Sequence, residues 1–288
     1  MNAMNGGLVR LRELLGTLTS SERKVAEFIL NEPQRIIDMS VAQLAEESGG
    51  SQAAVVRMCK SAGFKGYQEL KLKVAGDLQN QHSYSNGYME IKVDSTMEQL
   101  IDTVFNNNIQ SILDTRKILS AVNMEKAVNL LLKANKIIFY GVGASNLVAI
   151  DAQQKFTRIN KLCLAFLDTD QQLISSVMVG QDDVVVGISN SGESPTVVEC
   201  LRQARERGAG IISITRYGQN TVSKLADIPL FISSTETEIR SGATSSRITQ
   251  LHLIDILYLA VSSRNYNQSV KYLDLTRKIV RKPLNGKY

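Results

Sequence analysis

Lys136-Ile137-Ile138-Phe139-Tyr140 runs into Gly141-Val142-Gly143-Ala144-Ser145, and further on Asp183-Val184-Val185-Val186-Gly187-Ile188 runs into Ser189-Asn190-Ser191-Gly192-Glu193-Ser194, with Pro195 next. Each stretch is a short apolar run, a glycine- or serine-rich turn, and then residues of helical composition. Three more runs of the same kind follow the pattern, at Leu162–Phe166, Gly210–Thr215 and Ile228–Ile232. Continuous apolar strands separated by helical segments indicate a parallel sheet covered on both faces. The turn chemistry then points to an anion, because the free N–H groups and dipole at a helix N-terminus favour negative charge. Ser189, Ser191 and Ser194 add hydroxyl donors around one glycine, so several O–H groups can converge on one phosphate without a lysine. A dinucleotide is the obvious alternative, but Asn146 stands where G-x-G-x-x-G needs its third glycine, and no P-loop sequence is present. A serine-rich turn that merely caps a helix is the bland reading. Two such turns at carboxyl ends of parallel strands, where ligands of open α/β sheets collect, favour one phosphate-bearing ligand held by both.

The residues before this sheet are helical throughout. Leu8, Leu11, Leu15 and Leu18 form one stripe. Thr19 with Glu22 makes a capping-box pattern ahead of Val25, Phe28 and Ile29, and Pro33 ends that helix. Ser40 with Gln43 opens the next, Val41 to Ser48, which stops at Gly49-Gly50. A helix that enters a major groove must cross its partner closely, which requires a small residue at the crossing, a turn residue tolerant of positive φ and a buried β-branched residue beyond it. Ala45, Gly49 and Val55 meet these needs at helix-turn-helix spacing, with Leu44 and Met58 as further core positions. Ser51 is the N-cap of the second helix. Ser40, Ser51, Gln52, Ala53, Arg57, Lys60 and Lys65 are the candidate DNA contacts, and Lys71 and Lys73 add positive charge nearby. An ordinary helical hairpin is the alternative. Residues 1 to 80 hold ten basic and nine acidic side chains, so a single module binds weakly and a paired one is expected.

Composition narrows the remaining classes. With 288 residues, 43% hydrophobic and 21% charged, the chain has enough apolar material for real cores, which excludes a disordered protein. The greasiest stretch, Leu251–Val261, is broken by His252 and Asp255, so no membrane span is expected. Met1 to Arg12 lack the apolar block of a secretory signal, and the chain is read as cytoplasmic. Cys59, Cys163 and Cys200 are scattered and in no ligand spacing, so neither a disulfide framework nor a metal site is expected. The net charge of +5 comes from the tail, where seven basic residues from Arg264 onward face only Asp274. That tail is read as a solvated face. The expected organisation is a helix-turn-helix domain over residues 1–78, a polar linker at 79–96, connecting or dimerisation helices at 97–125, the α/β domain at 126–265 and a basic helix and tail at 266–288.

The two serine- and glycine-bearing turns together resemble the sugar isomerase (SIS) domain. An SIS domain behind a helix-turn-helix is similar to the RpiR family of bacterial transcriptional regulators. The likeness spans nearly the whole chain, including Val55–Leu70 with Arg57, Gly63-Phe64 and Gly66-Tyr67, and Ser245-Ser246-Arg247 through Asp255. Asp151–Lys155 and Ile239–Arg247 look closest to the MurR-like branch, which regulates N-acetylmuramic acid use. The resemblance implies an all-α DNA-binding domain followed by a flavodoxin-like α/β/α domain, assembled as a homodimer or homotetramer on a double-stranded operator. It implies a phosphosugar effector, N-acetylmuramic acid 6-phosphate in that branch, with Ser145, Ser189, Ser191 and Ser194 on the phosphate. Gly143, Ala144, Asn190, Gly192 and Glu193 complete the ligand set, and Arg240 and Arg247 are candidates for a lactyl carboxylate. Repression of an amino-sugar utilisation operon, with no catalytic residue, metal or cofactor, is the expected function. A phosphosugar isomerase or etherase with Glu193 as base is the alternative, against Glu193 as a first-turn acid. His252, on an apolar helical stretch, is read as a core histidine, and the helix Met97 to Ser120 as relay or dimer contact.

Overall fold

The computed structural model describes residues 5–79, 94–234 and 242–281. The chain packs as two compact units, one of Met1–Leu119 with Arg216–Gln219 and Phe231–Thr249, the other of Ser120–Thr215, Asn220–Leu230 and Gln250–Tyr288. Most of the linker expected at 79–96 lies outside the described residues.

The first unit is built on α1 (Gly7–Leu14), α2 (Ser20–Asn31), a 3-10 turn at Arg35–Ile37, α3 (Val41–Glu47), α4 (Gln52–Ser61), α5 (Tyr67–Gln79) and α6 (Met97–Ile118). The capping residues act as their types dictate. Glu22 accepts the Thr19 N–H and hydroxyl at 3.1 and 2.8 Å, and Ser40 and Gln43 bond reciprocally. Leu11, Val25, Ile29, Leu44, Val55, Met58 and Leu70 are fully buried in one core. Among the described residues, the stripe that begins α6 has no such cover: Met97, Ile101, Val104 and Phe105 are all exposed.

Buried carboxylates fix α1 in place. The Asp77 carboxylate accepts the Gly6 and Leu8 amides at 2.7 and 2.9 Å, satisfying donors that the helix N-terminus leaves open. Arg12 pairs with the fully buried Asp114 at 2.9 Å. Burial, reinforced by Asp114, pushes Asp77 above its ordinary value against the pull of the two amides and Lys117. Asp77 therefore holds its proton more firmly folded than unfolded, so its contribution is complete below about pH 4 and is lost as pH rises through its raised folded value. The melting-temperature difference between wild type and Asp77→Asn is expected to shrink steadily from pH 4 towards neutrality. Thermal melts across that range check it, and a flat or widening difference counts against the assignment.

The second unit carries α7 (Ala121–Lys133), β1 (Lys136–Gly141), α8 (Ala144–Thr157), β2 (Leu162–Ala165), α9 (Thr169–Ser176), β3 (Val184–Ser189), α10 (Pro195–Glu206), β4 (Gly210–Arg216), α11 (Thr221–Leu225), β5 (Ile228–Ile232), α12 (Thr244–Arg264) and α13 (Tyr266–Arg281). Some of β4, β5 and α12 packs with the first unit. All five expected strands form, in the order β2-β1-β3-β4-β5, with parallel pairing of β1 to β2, β1 to β3 and β3 to β4. β3 is buried along its whole length, as its unbroken apolar run demands. Ile138, Tyr140, Val185 and Ile211 pack against Val197 and Leu201 of α10 and Val222 of α11. On the opposite face Phe139 meets Phe156 of α8, which meets Tyr258 of α12, with ring centroids 5.8 and 5.9 Å apart. Helices on both faces make the α/β/α sandwich expected from sequence. The three cysteines are buried, and burial pushes each thiol up to about 12.

Candidate functional site

β1 and β3 are neighbours although β2 lies between them in sequence, so the strand order reverses at their junction. In open α/β sheets that junction opens a crevice beyond the strands' carboxyl ends. The register places Gly141 opposite Ile188, so the Ser145 turn and the Ser189–Ser194 turn leave the sheet at the same level on adjacent strands. The two serine-bearing stretches singled out from sequence thus share one sheet edge.

The first turn is shaped by its glycines. Gly143, at φ +61°, sits ahead of α8 in a conformation that favours glycine. A Cβ on Gly141 would lie 2.6 Å from the Ser145 carbonyl oxygen, so only hydrogen fits there. Ser145 is buried, and its Oγ lies 3.3 to 3.4 Å from the side-chain amide of Gln250 on α12. Sequence reasoning covered the stretch around Gln250 without singling it out, since a lone glutamine in a helix carries no turn or spacing signal.

In the second turn, the Ser189 Oγ accepts the Gly192 N–H at 3.1 Å and the Ser191 Oγ accepts the Glu193 N–H at 3.2 Å. Ser194 precedes Pro195 at the first position of α10, where the missing N–H is not needed. Gly192 has φ +71° and lies so close to Asn220 that a Cβ would come within 2.1 Å of that side chain. Asn220 is the second residue that sequence analysis missed. Its Oδ1 accepts the Ser223 N–H at 2.8 Å as cap of α11, and its Nδ2 donates to the Thr215 hydroxyl at 3.1 Å. The N-cap pattern Asn220-Thr221-Val222-Ser223 was the available signal. The Val222 N–H donates to the Gly192 carbonyl, so α11 supports the serine turn.

Glu193 is exposed and engaged. Its Oε1 accepts the Thr221 N–H at 2.9 Å, and this partner, with the Thr221 hydroxyl foremost and Lys224 adding to it, holds the carboxyl below its ordinary value. A general base works best with a value near the working pH, and Glu193 is moved the other way. His252 is not the core histidine expected: it faces outward on α12, because the buried stripe runs through Leu253, Ile254 and Leu257. Arg247 is half-buried in the first turn of α12, and Arg240 lies outside the described residues. A groove of about 880 Å³ in the second unit runs between α13 and the C-terminal half of α8, at the opposite end of α8 from Ser145.

The helix-turn-helix forms at the expected residues. α3 ends with Gly49 at φ +63° and the Gly50 N–H donating to the Ala45 carbonyl at 2.9 Å, a glycine stop of the Schellman kind. A Cβ on Gly50 would lie 2.6 Å from the Val25 side chain, so this glycine lets α2 approach the turn. Ala45 and Val55 are buried, and Ser51 caps α4 by accepting the Ala54 N–H at 3.1 Å. Ser40, Ser51, Gln52, Ala53, Arg57, Lys60 and Lys65 all face outward. Arg57 pairs with Glu22 at 3.1 Å while its side chain stays 58% exposed. Burial raises Glu22, but the Thr19 hydroxyl and amide and Arg57 outweigh it and keep the carboxyl below its usual range. Lys71 is drawn inward, donating to the Ile37 and Met39 carbonyls.

Comparison with known proteins matches both units. Residues 5–81 fit the helix-turn-helix domain of the rpiR family, and residues 130–260 fit the SIS domain. An HTH-type transcriptional regulator of Caldanaerobacter subterraneus is 43% identical over 277 residues, 96% of this chain and 98% of the relative. The HTH-type regulator YbbH of Bacillus subtilis is 42% identical over 275 residues, covering 94% and 96%. Among solved structures, NanR of Vibrio vulnificus in complex with ManNAc-6P matches 97% of this chain and 100% of its own, at 25% identity and TM-score 0.61.

Proposed function

Because this chain belongs to the rpiR family of helix-turn-helix transcriptional regulators, we propose that it represses an amino-sugar utilisation operon by binding double-stranded operator DNA through α4, and that an N-acylhexosamine 6-phosphate held at the two serine turns controls that binding. The observation that carries the reading is the register of β1 and β3, which brings Ser145 and Ser189–Ser194 to one crevice in a chain whose other unit is a helix-turn-helix. The NanR complex supports the ligand class. Ser145, Ser189, Ser191 and Ser194 bind the phosphate, and Gly143, Ala144, Asn190, Gly192 and Glu193 complete the ligand-binding set. Arg247 and Arg240 are the candidates for a lactyl carboxylate if the ligand is N-acetylmuramic acid 6-phosphate. Ser40, Ser51, Gln52, Ala53, Arg57, Lys60 and Lys65 contact DNA. The protein acts in the cytoplasm, beside its operator, and turns over no substrate: Glu193 straps the serine turn to α11.

With a nearly neutral DNA module, one copy binds weakly, and we place the pairing of copies into a homodimer or homotetramer on the exposed apolar start of α6.

Ser191→Ala is expected to weaken phosphosugar binding by about 1.5 to 3 kcal/mol, roughly ten- to 150-fold, through loss of a charge-assisted hydrogen bond, and to leave DNA affinity intact. Equal loss of both sinks the ligand assignment. Arg57→Ala is expected to weaken DNA binding and flatten its salt dependence by about one unit of slope, with sugar affinity unchanged. An unaltered gel shift removes Arg57 from the contact set. Turnover of any hexosamine 6-phosphate by the purified chain overturns the non-enzymatic reading.

A further inference from the structure

The loop that joins β4 to α11 has two different sets of partners. At its ends, Thr215 and Asn220 are bonded to each other, Asn220 packs on Gly192, and Thr221 holds Glu193, all around the serine turn. The four residues between them, Arg216–Gln219, belong to the first unit. There Arg216 Nε meets the buried Glu13 carboxylate of α1 at 3.1 Å, and Ser233 donates to the same carboxylate at 2.6 Å. The Tyr217 N–H donates to the Ile232 carbonyl, which registers its backbone on the end of β5. Gly218 at φ +135° passes Leu14 so closely that a Cβ would lie 3.2 Å from that side chain.

Tyr217 reaches α4 itself. Its hydroxyl donates to the Ala62 carbonyl at 3.0 Å, and Ala62 is the C-cap of α4. The last carbonyls of a helix have no partner within the helix, so this bond completes the end of α4. The next residues close that end tightly: Gly63 has φ +70° and the Phe64 N–H returns to the Cys59 carbonyl at 2.9 Å. Arg10 of α1 lies over both the Phe64 and the Tyr217 rings, 5.2 and 5.4 Å from their centroids, and locks the aromatic pair around the helix end.

We propose that Arg216–Gln219 is the strap through which occupancy of the serine turn reaches α4, with Tyr217 as its positioning residue. This rests on the reading of the serine turns as effector site and α4 as DNA helix. Four residues span at most about 14 Å when fully extended, so a strap tied at both ends has little slack to absorb a shift. An anion that draws Gly192 and Glu193 inward moves Asn220 and Thr221, and the displacement passes along the peptide backbone to Tyr217 and the Ala62 carbonyl. Coupling of this kind requires that the strap prefer different positions in the two states of the cradle.

The test uses the full-length chain, DNA that the wild-type protein selects from a randomised pool, and a panel of N-acetylmannosamine, N-acetylmuramic acid and glucosamine 6-phosphates as probes. Fluorescence anisotropy gives DNA affinity with and without sugar, and calorimetry gives sugar affinity. In the wild type, a sugar of the panel is expected to change DNA affinity by about five- to 150-fold. Tyr217→Phe, which keeps the ring and removes only the hydroxyl, is expected to bind DNA alone and sugar alone within about twofold of wild type and to lose the sugar-induced change to less than about twofold. A packing role alone would move melting temperature and basal DNA affinity instead. Glu13→Gln, which loosens Arg216 while keeping an acceptor for Ser233, is expected to reduce the change as well, and it carries the test if Tyr217→Phe does not fold. A Tyr217→Phe protein that keeps the full response overturns the strap and leaves the effector reading standing. A wild type whose DNA affinity no sugar of the panel changes overturns both.

Discussion

Gly192→Ala is expected to lower phosphosugar affinity more than a hundredfold while the chain still retards DNA. Two independent costs meet at this residue. Its φ of +71° lies in the left-handed region, where a side chain adds about 1 to 2 kcal/mol of backbone strain. The new Cβ would also stand 2.1 Å from the Asn220 Cγ and 2.2 Å from its Oδ1, and one of the two must move. Asn220 has no room to yield, because its Oδ1 caps α11 and its Nδ2 is bonded to Thr215. The serine turn yields instead, and with it the Ser189 Oγ bond to the Gly192 N–H that fixes its shape. Misplacing two hydroxyl donors to a dianion, each contributing about 1.5 to 3 kcal/mol, exceeds the roughly 2.7 kcal/mol that a hundredfold loss represents. Gly143→Ala is the matched control. That glycine also has positive φ, but among the described residues nothing lies within 4 Å of its Cβ position, so backbone strain acts alone. Calorimetry with N-acetylmannosamine 6-phosphate compares the two, and a Gly192→Ala protein that binds as well as Gly143→Ala contradicts the steric argument.

The strands and the helix-turn-helix were legible in sequence because each rests on a local signal. An unbroken run such as Val184-Val185-Val186 has few homes besides a strand buried on both faces, and Gly49-Gly50 between capped helices admits few alternatives to a tight turn. The two serine- and glycine-bearing turns at neighbouring strand ends were legible for the same reason, their residue types and the strand ends being adjacent in the chain. Asn220 and Gln250 escaped because their place at the site comes from tertiary packing: one is set against Gly192 by the return of β4, the other is brought to Ser145 by α12. His252 departs from the expected core histidine because an apolar helical stretch buries only one stripe, and the stripe through Leu253, Ile254 and Leu257 passes one position to its side. The role of Arg216–Gln219 was invisible for a further reason. Nothing in Arg-Tyr-Gly-Gln announces that a sheet-edge loop will complete the end of a helix more than 150 residues earlier, as the Tyr217 bond to Ala62 does.

Leu44→Ala is expected to destabilise the helix-turn-helix by about 2 to 5 kcal/mol and to abolish DNA retardation near physiological temperature, with phosphosugar affinity held within about twofold of wild type. Leu44 is fully buried on α3 among Val25, Ile29, Val55 and Met58, so its removal leaves a cavity where α2, α3 and α4 meet. Three short helices of 12, 7 and 10 residues have little stability without that packing, since isolated helices of this length are marginal in water. The sheet is stabilised by other residues. Its core of Ile138, Val185, Leu201, Ile211 and their neighbours has no member in common with the cluster around Leu44. Calorimetric melting is therefore expected to show one transition moving down and the other staying in place, and a titration below both transitions should give an unchanged heat of sugar binding. If sugar affinity falls in step with DNA binding, the two cores are not independent, and the division of labour between a DNA-reading unit and an effector-binding sheet fails with them.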